Sequence, residues 1–417
     1  MSPTRRHFLY GSLGLAAAGA VGVGRASRAA APSGRRLVMV YLDGAWDPTY
    51  HIDPKLDTPF VDGPEALPSD AVADETVETI HGHRLAINRT TRAPVAEFFE
   101  RWGREVVSLS GVTIGGIAHN PNRTRVLTGT PDRRRPDLVT WLGSQESVTE
   151  PLGALDLSGW GLQGARGADA TRAGAGWQLH TLLAGNEGLG AHLGHDPVAD
   201  DLVEDFLRRR AARLPPGPRA DYGRSLERSV GRLEGMRDHA EPLAAILGRS
   251  PRLPENHALV AADLVARGFA RSVLIDPGFH FDTHANNAIQ ERLTHDLYAM
   301  LDVLMTALTE QGALDHMLVV VCSEMTRSPR LNRGRGKDHW PLASYLFMGG
   351  GVSGGRQLGG TDHLQAPLPA DVGTGESRSS GEPLDYTQVH AGLAAHLGLD
   401  PAENLPGVTP FAGLSGR

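Results

Sequence analysis

The chain reads as a three-layer α/β/α sandwich around a mostly parallel sheet, and three observations predict it. Nearly continuous apolar runs, such as Arg36–Leu42 and 317–321, have the pattern of strands buried on both faces. Between such runs lie stretches of helical period. The clearest, 289–312, sets Leu293, Leu297, Met300, Leu301, Leu304 and Leu308 on one stripe. Strands and helices alternate over most of the length, which favours parallel pairing with helices on both faces of the sheet. In sheets of this kind ligands bind beyond the carboxyl ends of the strands. Asp43, Asp282 and Glu324 are expected at such ends.

The elements follow in order. Residues 1–31 are set apart from the fold. Thr4-Arg5-Arg6-His7-Phe8-Leu9 has the form of a twin-arginine export signal, followed by a mildly apolar run at 11–24 and small residues at Ala29-Ala30-Ala31 for cleavage. That run is too short and too rich in glycine to span a bilayer. The expected location is periplasmic or extracellular, with no stable membrane span after cleavage. Residues 32–417 are expected to form one domain. Its first strand, Arg36–Leu42, ends in Asp43-Gly44. Residues 47–90 are polar and proline-rich and read as an irregular surface insertion. A short helix at Ala93–Trp102 precedes a strand at 105–109. A helix at 120–129 closes on Gly129, and another starts at 136–143. Residues 197–249 are charged and helical, with a break at Leu214-Pro215-Pro216-Gly217, and read as a helical excursion on one face or edge of the sheet. Its Arg208-Arg209-Arg210 run suits a solvated helix face. A helix at 259–268 feeds a strand at Ser272–Ile275. After the long helix come strands at 317–321 and 345–348, a Gly349-Gly350-Gly351 turn, a polar loop at 368–382 and a last helix at 386–397.

Composition narrows the function. Without residues 1–31 the chain loses four arginines and no acid, leaving 37 basic against 48 acidic residues, a formal charge of −11. Such a surface does not favour nucleic acid or anionic lipid. The single cysteine, Cys322, excludes an intrachain disulfide and sits at the end of an apolar strand, where a small buried hydrophobe is expected. With 40% hydrophobic residues the chain has enough apolar side chains for a sizeable core despite 51 glycines and 28 prolines.

Three late segments carry the chemistry: Phe281-Asp282-Thr283-His284, Ser323-Glu324-Met325-Thr326-Arg327 and Lys337-Asp338-His339-Trp340-Pro341. The first and third are expected in loops near strands, and the second directly follows the 317–321 strand. Carboxylates and imidazoles at loop mouths, interspersed with Lys and Arg, are what a divalent metal and an anionic substrate require. Asp282 and His284 stand two apart, so an extended backbone turns them to the same side. His280 shares that parity, and Asp276 with His280 forms a competing pair at a strand end. Arg123, Arg327 and Lys337 are candidate anion clamps.

Asp282-Thr283-His284, Ser323-Glu324 with Arg327-Ser328-Pro329, Lys337-Asp338-His339 and the turn 349–355 together resemble the exported bacterial family called domain of unknown function 1501, of the alkaline phosphatase and sulfatase superfamily. The resemblance runs from about Arg36 to the C-terminus and is weakest over 47–90 and 150–255. Residues 119–129 are similar to the sulfatase nucleophile helix: Pro121, Arg123, Thr128 and Gly129 keep step, while His119 occupies the nucleophile position. The resemblance implies an alkaline-phosphatase-like fold with two sets of metal ligands, Asp43, His119 and Glu324 in one and Asp282, His284 and His339 in the other. Mixed imidazole and carboxylate ligands allow Zn, Mn, Fe or Ca. The implied activity is hydrolysis of phosphate, phosphonate or sulfate esters of an anionic small molecule or glycan. His119 lacks the hydroxyl that attacks in that superfamily, Thr124 lies one and a half turns further on, and Met325 stands where His or Asn is usual. His119 would then bind metal, act as a nitrogen nucleophile, or mark a non-catalytic binding or assembly protein that keeps the fold.

Overall fold

The computed structural model describes residues 34–64, 74–172, 197–215, 217–249 and 253–415. The export-signal reading of residues 1–31 falls outside them. In chain order the elements are β1 (Arg36–Leu42), β2 (Thr76–Ile80), β3 (His83–Ile87), α1 (Ala93–Trp102), β4 (Val106–Thr113), α2 (His119–Thr128), α3 (Leu138–Gly143), β5 (Ala154–Asp156), β6 (Ala170–Arg172), α4 (Pro197–Ala212), α5 (Pro218–Asp238), α6 (Ala240–Leu247), α7 (Pro254–Ala266), β7 (Ser272–Ile275), α8 (Ile289–Glu310), β8 (Met317–Ser323), β9 (Thr326–Leu331), β10 (Lys337–Trp340), β11 (Leu342–Gly349), β12 (Arg356–Gly359) and α9 (Tyr386–His396).

Eight strands form the central sheet in the order β12-β4-β11-β8-β1-β7-β5-β6. β11 runs antiparallel to both of its neighbours, and every other pairing in this sheet is parallel. β1 lies at the centre, with Val38 opposite Val273 on one side and Val319 on the other. Its side chains divide between two cores. Val38, Val40 and Leu42 pack with α1, α7 and α8. Leu37, Met39 and Tyr41 pack with α2, α3 and α9. The period of two along a strand buried on both faces thus gives a helix layer on each side. This is the α/β/α sandwich that the alternation of apolar runs and helices predicts.

The largest difference from expectation lies within 47–90. The stretch was expected as an irregular surface insertion, yet Asp47, Thr49, His51, Asp53 and Lys55 are buried, and β2 and β3 pair as an antiparallel hairpin. The polar residues at 47–55 satisfy one another and their neighbours: Lys55 Nζ lies 2.8 Å from Asp53 Oδ1, and Thr49 donates to Asp47 Oδ1 at 2.7 Å. Polar composition reads as surface only where such partners are lacking. Lys337-Asp338-His339, expected in a loop, is strand β10 and pairs with β9. Among the described residues no helix is long and apolar enough to cross a membrane.

Candidate metal centre

β1 and β8 are neighbours with Leu42 opposite Ser323, so their carboxyl ends bring Asp43-Gly44 and Glu324 to one edge of the sheet. The loop after β7 folds over that edge. The Phe281 amide donates to the Asp43 carbonyl at 3.0 Å. Gly44 (φ +101°) makes the approach possible, since a Cβ there would stand 2.4 Å from the Asp282 nitrogen. The β9–β10 turn closes from the other side: a Cβ at Gly336 would meet the His284 carbonyl oxygen at 2.0 Å. β10 delivers His339, and the first turn of α2 delivers His119.

Four side chains converge there. One ligand atom from each of His119, Asp282, His284 and His339 can be chosen so that all lie within 4.8 Å of one another. Asp282 Oδ1 stands 3.3 Å from His284 Nε2, 3.6 Å from His339 Nε2 and 3.7 Å from His119 Nε2. The Nε2 atoms of His284 and His339 are 2.8 Å apart. Ligands about 2.0–2.1 Å from a zinc-sized ion at tetrahedral angles stand roughly 3.3–3.4 Å from one another; the three distances from Asp282 lie near that value, and the two imidazoles of His284 and His339 stand closer.

Each ring is anchored through its other nitrogen. His119 Nδ1 meets Glu324 Oε1 at 2.6 Å, His284 Nδ1 meets Asp338 Oδ1 at 3.0 Å, and His339 Nδ1 meets the Ile117 carbonyl at 2.7 Å. A carboxylate or carbonyl at Nδ1 holds the proton there and leaves the Nε2 lone pair facing the centre, the second layer of bonds that orients metal-binding imidazoles. The Glu324 bond raises the His119 pKa against the opposing effect of burial. Burial works to raise the Glu324 carboxyl, and the bonds from His119 and Gly44 leave it lowered. His339 is lowered chiefly by burial.

The expected division into two ligand sets changes. His119 joins Asp282, His284 and His339, while Glu324 stands behind it. Glu324 is buried and accepts from Tyr41 Oη at 3.0 Å, the Gly44 amide at 2.9 Å and Ser323 Oγ at 3.0 Å, as well as from His119. Asp43 is turned to Arg123, whose Nη2 lies 3.3 Å away; it is outside the group of four. Burial, then the nearby Glu324 charge, raises the Asp43 carboxyl. Asp276 accepts from Trp160 Nε1 at 2.7 Å and the Gly278 amide at 2.8 Å, and His280 is exposed. Neither belongs to the group, so the Asp282-x-His284 pair is the one that faces the centre.

Two of the candidate anion clamps are committed elsewhere. The buried Arg327 guanidinium donates to the carbonyls of Ala45 (2.9 Å), Lys337 (3.0 Å), Phe281 (2.9 Å) and Gly44, and to Asp282 Oδ1 at 2.7 Å. It ties three loops together and fixes Asp282, whose carboxyl is lowered by Arg327 in spite of burial. Lys337 Nζ lies 2.8 Å from Asp47 Oδ2, with both side chains fully buried. Neither cation is free for a substrate. Arg123 alone stays at the rim, its guanidinium carbon 3.8 Å from the centre of the Trp160 ring. Thr124 donates its hydroxyl to the Asn120 carbonyl at 3.1 Å and does not reach the centre.

The sequence reading missed Asp338, Tyr41 and Trp160. Asp338 had a signal, its place beside His339 in a segment already singled out. Nothing in the sequence marks Trp160.

A mixed α/β sheet with a cluster of imidazoles and a carboxylate at the carboxyl edge defines a class: an α/β protein with a candidate metal centre. Residues 222–408, a stretch that contains Asp282, His284, Glu324 and His339, match the family described as "Protein of unknown function (DUF1501)". No curated protein matches the chain in sequence. Among solved structures it is similar to a putative sulfatase from Bacteroides fragilis, with 11% identity, 94% of this chain and 79% of that one covered and a TM-score of 0.40. It is also similar to the phosphonate monoester hydrolase of Agrobacterium radiobacter (13%, 92% and 78%, 0.37) and to the phosphonate monoester hydrolase from Silicibacter pomeroyi (12%, 90% and 77%, 0.35).

Proposed function

We propose that the protein is an exported metal-dependent hydrolase of anionic esters, with one divalent ion held by His119, Asp282, His284 and His339. The observation that carries this reading is the arrangement of the three histidines, each with Nδ1 bonded and Nε2 turned to a shared carboxylate oxygen. Three imidazoles suit Zn, Fe or Mn and disfavour Ca, which takes oxygen ligands. Bound there, such an ion would polarise an ester oxygen and acidify water. The chain's own groups do the rest. Glu324 keeps the His119 ring in one orientation, and Arg327 does the same for Asp282. Arg123 holds positive charge beside Asp43 at the rim, where a phosphate, phosphonate or sulfate group would need it. The centre is partly open, with the Asp282 side chain 47% and the His284 side chain 42% exposed, so a substrate can reach it. Residues 1–31, with Arg5-Arg6 ahead of the apolar run, support export by the twin-arginine route.

The test is metal analysis of the purified mature protein together with a screen of aryl phosphates, phosphonates and sulfates. About one equivalent of Zn, Fe or Mn and turnover that His119→Ala abolishes are expected. Absence of bound metal, with turnover no different from that of His119→Ala, would sink the proposal.

One observation favours a second reading. A hydroxyl nucleophile is missing from the α2 start, and the nearby Ser323 and Thr124 hydroxyls are engaged in internal bonds. A non-catalytic metal-bound assembly or binding protein would show tight metal and no turnover on any ester.

A further inference from the structure

A polar cavity lies beside α2 and shares Arg123 with the rim of the metal centre. Its volume is about 230 Å³, and Asn120, Arg123, Thr124, Arg133, Trp160 and Arg172 are among its lining residues. No carboxylate lines it among the described residues. Resting on the reading above as an ester hydrolase, we infer that this cavity is a subsite for a second tetrahedral oxyanion, a phosphate or sulfate group carried by the same substrate. The substrate class is then a small molecule or sugar bearing at least two such groups.

Three features carry the inference. The first is charge. Three guanidinium groups from three different elements or loops line one small space; Arg123 is paired with Asp43 and Arg172 with Asp156 through one nitrogen each, and planar guanidinium, with five donors, can still meet a tetrahedral oxyanion with the rest. Arg133 is exposed and enters no ion pair found among the described residues. The second is construction. The wall at 158–162 is held by two buried carboxylates. Asp156 accepts from the amides of Ser158 (2.9 Å), Gly159 (3.0 Å) and Gly161 (3.0 Å) and forms an ion pair with Arg172, and Asp137 accepts from the Leu162 amide at 2.5 Å. A Cβ at Gly161 would come within 2.7 Å of Asp156 Oδ2, so a larger residue there would displace the carboxylate that holds the turn. Trp160 is fixed in turn by its bond to Asp276 and its contact with Arg123. These contacts set the pocket wall before any ligand arrives. The third is size. Sites that enclose a whole small ligand measure roughly 300–1,000 Å³; about 230 Å³ suits one group of a larger molecule whose scissile ester lies at the metal centre.

The test separates this subsite from the metal centre. The full mature chain is stripped of metal, and inorganic phosphate and inorganic sulfate are titrated separately by calorimetry into wild type, Arg133→Ala, Arg133→Ala/Arg172→Ala and His119→Ala. Wild type and His119→Ala are expected to bind one anion alike. Arg133→Ala is expected to weaken it and the double variant to lose roughly tenfold or more, as removal of charge-assisted bonds does. The tighter of the two anions assigns the group as phosphate or sulfate. Arg133 is on the surface, so its variant keeps the readout if the double variant is unstable. Absence of anion binding to wild type, or equal binding by Arg133→Ala and wild type, overturns the inference. Loss in His119→Ala but not in Arg133→Ala also overturns it, because the anion then sits at the metal centre. None of these readings needs turnover, so a failure of the hydrolase proposal leaves the result legible.

Discussion

The chain uses hydrogen-bonded histidines in two ways, and the difference identifies the site. His83 spends both ring nitrogens, Nδ1 on Ser108 Oγ at 2.9 Å and Nε2 on the Gly103 carbonyl at 3.1 Å. His396 does the same with Ser415 Oγ and the Gly350 carbonyl. Each joins two parts of the fold and has no lone pair left for a ligand. His119, His284 and His339 are bonded just as firmly at Nδ1, yet their Nε2 atoms face one another and Asp282. Three lone pairs pointed at one carboxylate gain little from one another without a cation between them. What separates a structural imidazole from a ligand is therefore where its second nitrogen points.

The wall behind the ligands gives the largest effect by which this contrast can be broken. Lys337 and Asp47 form a fully buried pair beside Arg327. Lys337→Ala leaves the Asp47 carboxylate uncompensated, and about 3–5 kcal/mol of stability is expected to be lost, read as a fall in denaturant midpoint. A loss below about 1 kcal/mol would show that Thr49 and Asn287 suffice to hold Asp47.

The structural histidines make an acid prediction. Burial lowers His83 to about 4 from an ordinary 6.5. The folded state thus binds fewer protons than the unfolded one between those values, so the stability His83 contributes is complete above pH 6.5 and lost as pH falls towards 4. His83→Gln does not titrate. The stability gap between it and wild type is expected to shrink by roughly 2–3 kcal/mol between pH 7 and 4.5, measured by urea melts. A gap of constant size would show that folding does not shift the His83 pKa.

The ligand set and the wall were unequally legible in the sequence. Asp282-x-His284 and His339 stood out because metal ligands are few in kind and a period of two fixes which of them share a side. The fold was legible for the same reason, since strands buried on both faces must be apolar throughout. The fates of Arg327 and Lys337 were not. A cation next to a carboxylate motif serves a substrate when its head is open and braces the backbone when it is enclosed, and only the packing of β9 against β10 over the 281–284 loop decides which. Glu324 stands behind the four clustered side chains and not among them for a related reason. Its position at a strand end was foreseeable, but Tyr41, Gly44 and Ser323 surround it with donors that the sequence does not align. The polar run at 47–55 misled most, because its partners Thr361, Gln290 and Lys337 are more than two hundred residues away.

The bonds at Nδ1 give the next prediction. Glu324→Gln keeps the shape of the side chain and removes the charge behind His119. Loss of such a partner weakens metal binding by about 10- to 100-fold, to be read by competition with a chromophoric chelator. An affinity within twofold of wild type would mean that His119 is oriented by its helix alone.

Asp338 occupies the corresponding position behind His284, but its side chain is 64% exposed whereas that of Glu324 is 0% exposed. The same chemistry in a wetter place must act more weakly, because water both competes for the carboxylate and screens its charge. The bond to His284, then that from Asn332, still lowers the Asp338 carboxyl, so it is ionised wherever His284 can bind metal. Asp338→Asn is accordingly expected to weaken metal binding by only about three- to tenfold, below the usual range for such partners, and the loss should shrink as salt rises from low to molar concentration. Glu324→Gln, at a fully buried carboxylate, should show almost no salt dependence. If the two variants lose affinity equally and with the same response to salt, burial is not what grades the two supports, and the ordering of effects drawn from their exposure fails.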